Sequence, residues 1–204
     1  MPLVFASPHS GRDYPADFVD GARLDPVSLR RSEDGFVDDL FAAAPEFGAP
    51  LLRATFPRAF IDANREPFEL DQGMFSDKLP DYVNTDSSRV AAGLGTIARV
   101  VSSGQDIYPR KLTFSEAAER IHAYYRPYHK ALETLIHETR KRFGYAVVVD
   151  CHSMPSIGGP LDPDVGRGRA DFVVGDCFGS TCAPYITDAI ERTIAGFGYA
   201  VARN

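Results

Sequence analysis

The sequence has no apolar run approaching the roughly 18 residues of a transmembrane helix, so a membrane span is not expected. It also lacks a basic excess. Twenty-two Lys and Arg stand against 28 Asp and Glu, a net charge of −6, which argues against a protein that grips a polyphosphate backbone non-specifically. Cysteine is scarce: Cys151, Cys177 and Cys182 are odd in number, widely spaced and form no CxxC, which fits neither a disulfide framework nor a zinc finger. A reducing compartment, the cytoplasm, is the expectation. Met1–Ala6 has no basic stretch and is too short for a secretory signal; it reads as a first strand. Repeats, low-complexity segments and a dividing linker are absent as well, so residues 1–204 are expected to form a single domain. The sequence carries no signature of oligomeric state.

What is present is ordinary globular composition, 44% hydrophobic and 25% charged. A chain of 204 residues buries about 70% of the surface its unfolded form exposes and needs no staples. Short apolar runs alternate with helical patterns. Strands are expected at Leu3–Ser7, Pro50–Ala54, Ala59–Asp62, Ala146–Asp150, Phe172–Gly175 and Tyr199–Ala202. Ser32 is placed to cap a helix through Phe36, Val37, Leu40, Phe41 and Ala44. Thr113 and Glu116 form a capping box ahead of a long helix with Ile121, Tyr125, Tyr128 and Leu132 on one stripe, kinked at Pro127 and stopped by Gly144. A further helix is expected over Ser180–Ala195. The stretch from Arg65 to Arg110, rich in Pro, Gly, Asp and Ser, reads as a long functional loop, a lid or binding loop. This order implies an α/β fold whose mostly parallel sheet is covered on both faces, with Val147–Val149 buried on both sides.

Ligands bind such sheets beyond the carboxyl ends of the strands. Two strands end there in histidines: Ser7-Pro8-His9-Ser10-Gly11 and Asp150-Cys151-His152-Ser153. If the two strands are neighbours, the imidazoles converge. Two neutral imidazoles plus a carboxylate make a three-ligand metal site with an open water position, and Glu33 and Asp34 supply the carboxylate choices. Taken singly, a histidine after a strand is ordinarily a loop residue. Cys151-His152 is a poor thiol–base pair, because neighbours on an extended segment point oppositely. His122 and His129 share a face of the long helix and read as supporting or surface residues, and His137 as solvent-facing. Arg65, at a strand end, is suited to clamp a carboxylate through paired hydrogen bonds, or simply to pair with Asp62, Glu66 or Glu69.

Five segments taken together carry more. Ser7-Pro8-His9-Ser10-Gly11-Arg12-x-Tyr14-Pro15, Glu33-Asp34-x-x-Val37-Asp38-x-Leu40, Ile61-Asp62-x-Asn64-Arg65, Asp150-Cys151-His152-Ser153-Met154-Pro155 and Ala170–Asp176 occur in this order. The sequence resembles the N-formylglutamate amidohydrolase (deformylase) family from about Pro8 onward. The resemblance implies a three-layer α/β/α fold, with a parallel or mixed sheet, related to zinc carboxypeptidases and zinc amidases. It implies metal-dependent hydrolysis of an N-formyl amino acid, N-formyl-L-glutamate giving formate and glutamate, as in histidine degradation. Mapped onto this sequence, the metal ligands are His9, Asp34 and His152, with zinc the expected ion and Glu33 the competing ligand. Arg65 with Asn64 is implied to anchor the carboxylate of a small-molecule substrate.

Relatives of this kind carry a general-base glutamate beyond the last strand, whereas this chain ends at Arg203-Asn204 without one. Neither Glu66 nor Glu69 has the spacing to replace it, so no base is assigned. A chain lacking a C-terminal segment, or an impaired copy, is the expectation. Two other functions stay open on the sequence: a metal hydrolase of another N-acyl amino acid or peptide, and a catalytically incompetent domain that binds an acidic ligand.

Overall fold

A computed structural model describes residues 1–159 and 164–203. The chain forms two compact units, Met1–Ser153 and Met154–Asn204; Asn204 itself lies outside the described residues. The first unit is built on a three-stranded, all-parallel sheet in the order β2-β1-β3, with β1 at Leu3–Ser7, β2 at Leu51–Arg53 and β3 at Val147–Asp150. Apolar, β-branched sequence makes β1 and β3 strands, and Val4 and Ala6 of the central strand are buried. Val148 is 42% exposed, so β3 is covered on one side only, contrary to the expectation from its run of valines. In the second unit β4 (Phe172–Val174) pairs in parallel with β5 (Val201–Arg203), and the helix Pro184–Gly196 joins them.

Three expectations from the sequence are corrected. Ser32 caps no helix: residues Arg30–Ser32 form a 3₁₀ turn, and the next α-helical turn, Val37–Leu40, begins after Phe36. Phe36 interrupts the helical pattern because its backbone is left-handed, at φ 65°. Ala59–Asp62 is a turn rather than a strand. Phe60 and Ile61 donate back to the Pro57 carbonyl at 3.0 and 3.2 Å, and Asp62 donates to the Thr96 carbonyl at 2.8 Å. The stretch from Arg65 to Arg110 is no lid. It supplies Leu70, Met74, Phe75, Leu79, Val83, Ile97, Ala98, Val101 and Ile107 to the hydrophobic core. Its backbone is cross-linked at Leu70–Asn84 (3.0 Å), Thr96–Glu69 (2.8 Å) and Leu112–Met74 (2.8 Å). Periodicity failed to reveal it because the apolar residues serve turns and isolated bridges, which have no fixed repeat.

The long helical arm behaves as its capping residues direct. Thr113 accepts from the Glu116 N–H at 3.3 Å while the Glu116 carboxylate accepts from the Thr113 N–H at 2.7 Å, which starts the helix Phe114–Arg120. One turn of π-helix, Ile121–Tyr125, then leads into the helix Arg126–Phe143, ended by left-handed Gly144. Pro127 lies in the first turn of that last helix, where its missing N–H is tolerated. A wide turn stands just ahead of it.

Two predictions follow from this packing. An added Cβ at Gly11 would overlap the Phe56 carbonyl, which is backbone and cannot swing away. Gly11→Ala should therefore unfold at markedly lower urea concentration than Gly35→Ala, where an added Cβ meets nothing within 4 Å, measured by circular dichroism. At the capping box, Thr113→Ala should cost about 1 kcal/mol. The Arg110 hydrogen bond and the Thr113 contacts, against the opposing effect of burial, hold the Glu116 carboxyl near 2, below its usual 4.5. The stabilisation is thus full above pH 4.5 and fades as pH falls towards 2. The stability gap between wild type and Glu116→Gln should be present at pH 6 and shrink on acidification.

Candidate metal centre

The register of β1 and β3 sets the site. Ala6 stands opposite Asp150, and the Cys151 N–H donates to the Ala6 carbonyl at 2.7 Å, so both strands release their chains at one edge of the sheet. His9 and His152 meet there with ring centroids 4.8 Å apart. Asp34 joins them from a different segment: its N–H donates to the His9 carbonyl at 3.0 Å, which fixes it over the edge without a helix N-terminus. Its Oδ2 lies 2.9 Å from His152 Nδ1 and 3.5 Å from His9 Nδ1. Among the described residues, His9, Asp34 and His152 form the group of side chains that could hold a metal ion, with potential ligand atoms all within 4.8 Å of one another.

The outer nitrogens of both imidazoles are held by carboxylates. His9 Nε2 is 2.7 Å from Asp62 Oδ1, and His152 Nε2 is 2.9 Å from Asp150 Oδ2. Carboxylate–histidine pairs of this kind fix ring orientation and make the opposite nitrogen a better ligand. On His9 that opposite nitrogen, Nδ1, is buried and makes no hydrogen bond. A buried imidazole nitrogen without a hydrogen bond, facing a carboxylate and a second imidazole, suits a divalent cation.

The charges are balanced by arginines. Arg58 lies 3.1 Å from Asp62 Oδ2 and 3.8 Å from Asp34 Oδ1. Burial acts to raise the Asp34 carboxyl, but the hydrogen bond from His152 and the nearby His9 and Arg58 hold it well below the usual range. Asp62 is likewise kept ionised against burial, by His9, Arg58 and Arg65. Burial alone would lower the His152 imidazolium, yet Asp150 and Asp34 outweigh it and push the group up to about 9.

The other candidate residues fall into place around this cluster. Glu33 is turned away from the imidazoles: Tyr14 donates to it at 2.8 Å and Arg30 at 3.0 Å. Asn64 Nδ2 is 3.1 Å from His152 Nε2. Arg65 Nε donates to the Leu94 carbonyl at 2.9 Å and NH1 to the Asn64 carbonyl at 2.6 Å, with NH2 3.8 Å from Asp62. Glu66 accepts from Asn84 and Glu69 from Ser87, so both have partners within the long loop. The Cys151 thiol is buried and pushed up to about 12 by burial and the neighbouring Asp150 charge, and is no nucleophile at neutral pH. His122 and His137 are exposed.

Sequence reasoning overlooked Asp62, Asp150 and Arg58 as parts of the site. For Asp150 a signal existed: residues i and i+2 of an extended segment share a face, so Asp150-x-His152 puts carboxylate and imidazole together. Asp62 had none, because its approach to His9 depends on a turn misread as a strand.

The comparisons with known proteins agree with one another. The N-formylglutamate amidohydrolase family model matches residues 1–204. The N-formylglutamate deformylase of Pseudomonas putida is 26% identical over 198 residues, and that of Pseudomonas aeruginosa 28% over 200. Each alignment covers 96% of this chain, and the chain spans 66% of the length of these curated relatives. The crystal structure of an N-formylglutamate amidohydrolase from Ralstonia eutropha superposes with a TM-score of 0.89 at 42% identity, over 100% of this chain and 72% of that one. A protein from Agrobacterium tumefaciens, 22% identical with a TM-score of 0.65, covers 100% of this chain and 68% of its own, and shares the fold. With its whole length matched by the family model, the chain belongs to the N-formylglutamate amidohydrolase family.

Proposed function

We propose that this chain carries the metal centre of an enzyme that hydrolyses N-formyl-L-glutamate to formate and glutamate. In this reading His9, Asp34 and His152 hold one divalent ion, zinc by preference. The observation that carries it is the unpartnered, buried Nδ1 of His9 facing Asp34 and His152. A divalent metal held by such residues polarises a carbonyl and lowers the pKa of bound water from 15.7 to about 7, which is what an unreactive formamide requires. The support for the substrate is the family and the names of the relatives. The relationship to zinc carboxypeptidases and amidases belongs to the same proposal, as do the single-domain organisation and the cytoplasmic setting.

The protein's own residues prepare the site. Asp62 and Asp150 orient the two imidazoles, and Arg58 offsets the charge of Asp34 and Asp62 so that both carboxylates stay ionised at neutral pH. Asn64 and Arg65 are proposed to receive the carboxylate of the substrate. Position supports this for Asn64, which adjoins His152; for Arg65 the support is the family resemblance. Held there, an anionic amino acid brings its N-formyl group to the histidine edge, converting an encounter into an oriented one. No group of this chain is assigned as general base.

Metal analysis of the purified protein should find about one equivalent of zinc, cobalt or manganese, restored after chelation. His152→Ala should abolish binding, and Asp62→Asn should weaken it roughly ten- to a hundredfold. Full metal content in His152→Ala would mean that the ligands are other residues. Formate should be released from N-formyl-L-glutamate in preference to acetate from N-acetyl-L-glutamate, followed by coupled formate and acetate assays. Equal rates would move the proposal to a broader N-acyl amino acid hydrolase.

A further inference from the structure

Asn64 sits in a backbone segment whose carbonyls on either side are taken by a single helical face. His129 Nε2 lies 2.8 Å from the Ala63 carbonyl, and the Tyr125 hydroxyl donates to the Arg65 carbonyl at 2.6 Å. The two side chains are four residues apart, Tyr125 closing the π-turn and His129 one helical turn on, and their rings meet at a tilt of 32° with centroids 4.2 Å apart. The residues so gripped reach both imidazoles of the candidate centre. Asp62 holds His9 and accepts the Asn64 N–H at 2.8 Å, while the Asn64 side chain meets His152. Tyr125 is buried, and its hydroxyl spends its hydrogen bond on the Arg65 carbonyl, so its hold on the site runs through the backbone.

We infer that Tyr125 and His129 act as a pair of positioning residues, clamping residues 63–65 so that Asp62 and Asn64 hold the two imidazoles in the geometry that binds metal. The inference rests on the metal reading of His9, Asp34 and His152. A clamp on main-chain carbonyls is suited to this role because it restrains the backbone directly and leaves the side chains of Asp62 and Asn64 free for the site. The i, i+4 spacing of the α-helix that begins at Arg126 puts Tyr125 and His129 on one face, and the π-turn lies just ahead of the pair; such turns recur where a helix serves a functional site.

The test is metal affinity, read by competition with a chromophoric chelator for Zn²⁺ and Co²⁺, alongside urea stability of the metal-free proteins. Tyr125→Phe removes only the hydroxyl and keeps the ring contact. It should weaken metal binding about fivefold, the effect of one lost hydrogen bond. His129→Leu should weaken it similarly, and His129→Gln, which keeps an N–H donor at comparable reach, should recover most of the loss. If wild type binds metal and both Tyr125→Phe and His129→Leu bind it equally well, with only metal-free stability reduced, the pair is structural and the inference is overturned. Should His129→Leu fail to fold, Tyr125→Phe alone decides. If wild type itself binds no metal, or His152→Ala binds as wild type does, the metal reading falls first, and the inference with it.

Discussion

The parallel register between β1 and β3 is the constraint on which the rest of this site depends. With Ala6 opposite Asp150, His9 and His152 leave the sheet at the same edge and at the same level. A slip of one residue would turn the β3 side chains to the opposite face, sending His152 away and bringing the buried Cys151 to the edge. The register is itself held by ordinary means: β-branched residues in β3, a buried central strand, and the Cys151 N–H bonded to the Ala6 carbonyl. Nothing specific to metal chemistry is needed to bring the two imidazoles together.

Keeping them useful needs more, because buried carboxylates and imidazoles tend to satisfy one another. Asp62 and Asp150 occupy the outer nitrogens, leaving Asp34 to face the inner ones, and Arg58 bridges the two buried aspartates. Removing one partner from such an arrangement leaves an uncompensated buried charge, costlier than the pair is worth while intact. The long segment from Arg65 to Arg110 enters here as scaffold. Thr96, fully buried, donates its N–H to Glu69 and accepts the Asp62 N–H at its carbonyl, fixing the turn that aims Asp62 at His9. Core packing and site geometry are thus the same structure seen at two depths.

How much of this could be read beforehand varied with the range of the interaction. The strands at Leu3–Ser7 and Val147–Asp150, the Thr113–Glu116 capping box and the stop at Gly144 are local features, and short sequence windows contain them. The convergence of His9 and His152 followed from a general rule about strand ends, once the two strands were taken as neighbours. The turn at Ala59–Asp62 is different. Its last residue is held by the bond from the Asp62 N–H to the Thr96 carbonyl, far along the chain, and no local window carries that information. Phe36 illustrates the same limit, since a left-handed aromatic breaks a helix that its neighbours' spacing favours. The long apolar loop was misread as a lid because its buried residues follow no period, although their composition was visible throughout.

The central claim is that His9, Asp34 and His152 form one metal centre through the inner nitrogens of the imidazoles. The most direct test is diffraction from zinc-loaded crystals at wavelengths on either side of the zinc absorption edge. The account predicts one strong anomalous peak bonded to Nδ1 of both histidines and to Asp34, with Asp62 and Asp150 still on the Nε2 atoms. A peak held by Glu33, by the Nε2 atoms, or by residues away from the β1–β3 edge would contradict it.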